Sequence, residues 1–139
     1  MSDQDLGEVR LGEKLLSDLR QALLRLHKIL LDWERSGYER IHGRQSSQEL
    51  LQALLNDPQF AWLRPMSQLI VRIDELLGDK TPPMRNDVDA VVSQVRSLTT
   101  ARQDGDIYER RYDMALQEIP DAVFAHRDLL ALLKEDRTS

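Results

Sequence analysis

Apolar residues early in the chain recur at Leu15, Leu16, Leu19, Leu23, Leu26, Leu30 and Trp33, the three- and four-residue spacing of a helix with one buried face. Leu24, Ile29 and Leu31 widen that stripe beyond a single seam, which suits a central helix touched from several sides. The pattern runs almost unbroken from Glu8 to His42, roughly 52 Å at about 1.5 Å per residue. A compact chain of 139 residues has a diameter of about 37 Å. A helix that long must kink, project or find a partner. Ser36-Gly37 is its weak point, because Gly/Ser pairs are among the few causes of sharp kinks. Gly43 then supplies a C-terminal stop.

Further along, Ser46 and Glu49 have capping-box spacing ahead of Leu50, Leu51, Leu54 and Leu55, which predicts a short second helix. Asp57-Pro58 restarts the chain with an acidic cap and a proline at the first helical position. Pro65 opens a helix whose face is Met66, Leu69, Ile70, Ile73, Leu76 and Leu77, and Gly78 closes it. Val71 lies nearly opposite that face, as a lone exposed valine or as a sign of cover on two sides. Asp79-Lys-Thr-Pro-Pro reads as a loop. Asn86 is expected to cap a helix buried through Val88, Val91, Val92, Val95 and Leu98, where helical spacing outranks the strand preference of valine.

After a turn at Gln103-Asp-Gly-Asp, a fifth helix carries Tyr108, Tyr112, Ala115, Leu116 and Ile119. Pro120 either starts a new helix or kinks the old one, and Ala122, Val123, Leu129, Leu130 and Leu133 form the last apolar face. Short links between helices imply antiparallel neighbours. The expected fold is therefore all-α, an up-and-down helical bundle of four to six helices with a long first helix. One domain spans 1–139, with frayed ends at 1–7 and 136–139.

Asn56-Asp-Pro-Gln-Phe-Ala-Trp-Leu-Arg-Pro, followed by Leu-Ile-Val-Arg-Ile-Asp-Glu-Leu-Leu from Leu69 to Leu77, resembles a group of small uncharacterised bacterial all-helical proteins. Arg110-Arg-Tyr-Asp-Met-Ala-Leu, ending at Leu116, is similar to a later segment of that group, so the likeness covers most of the chain from Leu15. The resemblance implies a bacterial origin. It brings no activity, cofactor or catalytic residue with it.

Composition narrows the classes. The chain is 41% hydrophobic but only 5% aromatic, so its core must be mainly aliphatic. The absence of cysteine excludes disulfides, zinc-thiolate and iron–sulfur sites, and thiol nucleophiles. A net charge of −5 argues against a duplex nucleic-acid partner, which calls for a basic face. The acidic start lacks the cationic and apolar regions of a secretory signal, and no apolar window is long enough for a membrane span. A soluble cytoplasmic protein is the expectation.

Glu39-x-x-His42 has the spacing of di-iron carboxylate bundles, but His27 and His126 lack a glutamate three residues earlier, so the second half of such a site is missing. At a helix C-terminus His42 simply suits the dipole. No metal is expected, and the weak candidates are Glu39, His42 and His126. His126 reads as a buried histidine bonded to a neighbour, and His27 as a boundary residue. Asp74, Glu75 and Asp79, with Asp32 and Glu34, are of the type found on acidic magnesium-binding helices, but solvated charges explain them better. No serine sits in a nucleophile elbow, and the six glycines are scattered singly, so there is no phosphate loop.

Arg110 and Arg111 lie between Tyr108 and Tyr112, as on single-strand-binding surfaces, but Glu109 and Asp113 dilute them. The expected arrangement is an exposed arginine face with ion pairs such as Arg110 to Asp113. Phe60 and Trp62 read as an aromatic plug for the bundle end, or, with Arg64, Val71 and Arg72, as a recognition patch. Taken together, the residues point to a protein–protein contact or self-associating module without catalysis or cofactor. The expected partner is a second copy, as a homodimer, or another protein. The first helix would supply the interface by pairing with its copy or by exchange across Ser36-Gly37. The alternative is a small bundle metal-binding protein or hydrolase using histidine and carboxylates.

Overall fold

The computed structural model describes residues 3–138, which fold into seven helices, with no strand among the described residues. They are α1 (Asp3–His42), α2 (Ser47–Asn56), α3 (Pro58–Ala61), α4 (Arg64–Gly78), α5 (Arg85–Leu98), α6 (Ile107–Glu118) and α7 (Pro120–Thr138). The fold is all-α, organised around its first helix. The fraying expected at the ends falls partly on residues 1, 2 and 139, outside the described residues. Within them helix runs from Asp3 and on to Thr138.

Leu16, Leu19, Leu23, Leu26 and Leu30 of α1 are fully buried, the spacing of a coiled-coil seam. They form one core with Met66, Leu69 and Ile73 of α4, the valines of α5, Tyr112 and Ala115 of α6, and Ala122, Ala125, Leu129 and Leu133 of α7. The α1 helix packs chiefly against α7 and α4, and also meets α5 and α3. Two bridges set the α4 register. Arg20 pairs with Asp74, and His27 Nε2 lies 2.7 Å from Ser67 Oγ, so the two helices run antiparallel. Gly12 allows α5 to come close, since a Cβ there would stand 3.3 Å from Val88 Cγ2.

The ends of the elements follow local chemistry. The Ser46–Glu49 capping box forms as expected, and Asp57 accepts the Gln59 N–H at 2.9 Å with Pro58 opening α3. Gly43 takes a φ of +82°, the left-handed conformation that ends a helix without cost to glycine. One expected cap is misplaced. The α5 helix begins at Arg85, one residue before Asn86, because the Met84 N–H donates to the Asp87 carboxylate at 3.0 Å. Asp106 and Glu109 form a reciprocal pair at the start of α6, a cap beyond those expected. Pro120 starts a new helix, with Ile119 before it held extended.

The α1 helix passes through Ser36-Gly37 without a break. At roughly 60 Å, it outruns the helices that cover it. Leu6 and Leu11 stand exposed near its start, and Ile41 stands exposed near its end. Its solvent-facing side, with Ser17, Gln21, Lys28, Asp32 and Ser36, is polar except for Leu24, which is exposed rather than part of the buried stripe. Among the described residues no helix is long and apolar enough to cross a membrane.

Candidate functional site

The leucine seam of α1 changes character after Leu30. The next position on the same face is Glu34, only 2% exposed, and its burial demands compensation. Three neighbouring side chains supply it. Trp62, just past α3, donates its indole N–H to Glu34 Oε1 at 2.8 Å. Gln59 of α3 donates to Oε2 at 3.0 Å, and Arg111 of α6 forms an ion pair with Oε1. The Arg111 guanidinium also lies over the Trp33 ring, 4.7 Å from its centroid, and 6.0 Å from that of Trp62. Among the described residues no buried side-chain nitrogen or oxygen lacks a partner.

This hub sits within an aromatic chain. Trp33 meets Trp62 edge-on at 6.5 Å, Trp62 meets Tyr108 at 5.4 Å, Tyr108 stacks on Tyr112 at 5.9 Å, and Tyr112 reaches His126 at 5.5 Å. Tyr38 adds contacts to Phe60 and His42 on the other side. Burial raises the hydroxyl pKa of Tyr108, helped by nearby Tyr112 and Asp106, and it raises that of Tyr112. Tyr112 and His126 Nδ1 share a hydrogen bond of 2.7 Å, and desolvation lowers the pKa of His126. His27 is lowered for the same reason.

Beside the hub opens a hollow of about 320 Å3. It is lined by Trp33, Gly37, Ile41 and Met114 together with Glu34, Arg40, Gln59, Arg111 and Glu118. None of its lining residues is Ser, Thr, Cys, Lys or His. Glu34 is saturated by its three donors, and Glu118 accepts the Trp33 indole N–H at 2.8 Å. The hollow thus presents two guanidiniums, two carboxylates, an indole and apolar side chains. A second hollow, of about 370 Å3, borders Tyr108, but its two acids, Asp106 and Glu109, are spent on the α6 cap.

The residues singled out by sequence are scattered. Phe60 and Trp62 are buried in the plug position, while Arg64, Val71 and Arg72 are exposed, so the five do not share one open patch. Arg64 caps the Leu55 carbonyl, and Arg72 lies near Glu75 and Asp87. Glu39 is engaged by the Gln45 backbone N–H and by Arg35. Its pKa is lowered first by that N–H and then by Arg35 and Arg44. His42 leans on Tyr38, and His126 is held by Tyr112. Among the described residues no three His, Asp or Glu side chains converge as a metal site would require.

Two sequence expectations need correction. Asp32, Asp74 and Glu75 are solvated as anticipated, but Glu34 is the buried centre of the hub. Arg111 belongs to Glu34 rather than to an exposed arginine face, and Arg110 reaches back to the Asp106 carbonyl instead of pairing with Asp113. Ser67 gains no nucleophile character from His27, since its hydroxyl also bonds to the Leu63 carbonyl and, among the described residues, no carboxylate orients the imidazole. No protein-family model, curated protein or solved structure matches this chain.

Proposed function

We propose that this chain is a non-catalytic protein-contact module that self-associates through the aromatic end of its bundle. The observation that carries the reading is Ile41. It continues the buried stripe of α1 by two further turns beyond Glu34, yet it is 76% exposed. Met114, which lines the same hollow, is exposed as well, while the Glu34–Arg111 hub beside it is fixed by charge and hydrogen bonds. Apolar side chains and arginine over a rigid aromatic base are the composition of interface hot spots. The polar outer side of α1 gives side-by-side pairing of two long helices little apolar surface to bury. The contact therefore belongs at the ends. A bacterial, cytoplasmic setting completes the proposal and rests on the sequence alone.

The test is sedimentation velocity of the purified chain from about 1 to about 300 μM, the range that brackets a weak interface. The sedimentation coefficient is expected to rise with concentration, and Ile41→Asp is expected to suppress that rise without lowering Tm. A chain that stays monomeric throughout would overturn the proposal.

A further inference from the structure

We infer that the hollow beside the hub receives the projecting start of α1 from a second copy, so that the chain associates head to tail. This inference rests on the self-association proposed above and names its geometry. The two ends of α1 are complementary. From Asp3 to Glu13 the sequence carries four carboxylates against one arginine. At the other end, Arg40 borders the hollow with no ion pair or hydrogen bond among the described residues, and the Arg111 side chain keeps 33% exposure beyond its pairing with Glu34. Of the acids lining the hollow, Glu34 is neutralised by Arg111, while Glu118 accepts the Trp33 indole N–H and keeps its charge, so the complementarity rests on Arg40.

Shape agrees with charge. Leu11 is 62% exposed, and Glu8 lies three residues earlier on the same flank, one turn away. Gly7, four residues before Leu11, has no atom within 4 Å of where a Cβ would stand, so that flank offers a close approach. The hollow has room for a side chain rather than a helix. Leu11 therefore enters between Ile41 and Met114, with Glu8 laid against Arg40. A molecule cannot satisfy itself this way, because the helix between Leu11 and Ile41 holds them roughly 45 Å apart. The contact uses two different patches, so it propagates as an open chain or closes as a ring.

Complementation tests this directly. One variant, Glu8→Arg with Leu11→Asp, blocks the start. Another, Arg40→Glu with Ile41→Asp, blocks the hollow. All four positions are exposed, so folding is checked simply by helical circular dichroism and Tm. Each variant alone is expected to be monomeric at concentrations where the natural chain associates, and their equimolar mixture is expected to form a discrete 1:1 pair. Glu8→Arg by itself should weaken association at least about tenfold, and Arg40→Glu should restore it. Raising the salt from about 0.05 to about 0.5 M should weaken the natural chain but not abolish its contact. A mixture that stays monomeric overturns the inference. Association that survives in either blocked variant alone also overturns it, while leaving self-association standing. A natural chain that never associates overturns both.

Discussion

Replacing Arg111 by methionine would strip the buried Glu34 carboxylate of its cationic partner, the only one among the described residues, while keeping most of the volume and the contact with Trp33. The carboxylate would retain the Trp62 and Gln59 donors, at 2.8 and 3.0 Å, which cannot cancel a full charge at a site with 2% exposure. Breaking one side of a buried ion pair costs about 3–5 kcal/mol. Two surviving donors and the adjoining hollow, which admits water, place this case near 3 kcal/mol at the lower end of that range. For 139 residues the unfolding entropy near 60 °C is about 0.29 kcal/mol per degree, so Tm should fall by about 10 °C. The reverse change, Glu34→Gln, should cost less, because Arg111 is one third exposed and can hydrate. Joining Arg111→Met to Glu34→Leu removes both charges and should recover most of the loss. The assay is thermal and urea unfolding of the natural chain, Arg111→Met, Glu34→Leu and the double variant as a double-mutant cycle. Additivity within about 0.5 kcal/mol, or a cost below about 1 kcal/mol for Arg111→Met alone, would refute the reasoning.

Tyr108 and Tyr112, whose pKa values are raised by burial, should remain un-ionised in the folded protein at pH 11. Tyrosinate absorbance should show them titrating only on unfolding, with stability falling as pH climbs past the unfolded value of 10.0. His27 and His126 are neutralised by burial, so the unfolded chain takes up protons first. Stability should therefore decline as pH drops below the unfolded value of 6.5 toward the lower folded values, and His126→Asn should flatten that decline in urea midpoints measured from pH 7 to 5. Gly37→Ala places its Cβ 3.7 Å from Arg40 and Gln59 nitrogens, ordinary contacts, and should raise stability by about 0.5–1 kcal/mol through helix propensity, seen as about 2–3 °C in Tm.

Helix existence is legible because each apolar face repeats with its own period and each stop has a chemical cause. The leucines of α1, the α4 face and the Ser46–Glu49 box all follow from residues within a turn or two of one another. Met84 in place of Asn86 is hidden because a backbone N–H can be satisfied by Asp87 without a polar cap residue. The hub is half legible. Position 34 continues the seam after Leu30, so its burial is implied by spacing, but a charged residue there reads as solvent-facing when taken singly. Arg111 lies 77 positions away, and nothing local in the sequence joins the two. Trp62 and Gln59 become donors to one carboxylate only once α3 turns the chain under α1.

That arrangement also explains why the charge sits where it does. A leucine at position 34 would bury comfortably against the same aromatic rings, and a buried ion pair is weak evidence of a stability advantage. What the pair does is fix orientation. A carboxylate held by two neutral donors and a guanidinium leaves few ways to place α3 and α6 against α1, whereas apolar contacts slide. With Arg111 pinned over Trp33, the wall carrying Met114 keeps a set position relative to Gly37 and Ile41, and the hollow keeps its shape. Every Phe, Tyr and Trp except Phe124 joins the ring contacts at this end, while the middle of the bundle is aliphatic. Rings have few rotamers to lose, so the stiffest packing surrounds the one hollow where exposed Ile41 and an arginine rim meet solvent. Rigidity concentrated beside uncovered apolar surface is the physical signature of a prepared contact, because a preorganised surface gives up less entropy when it is covered.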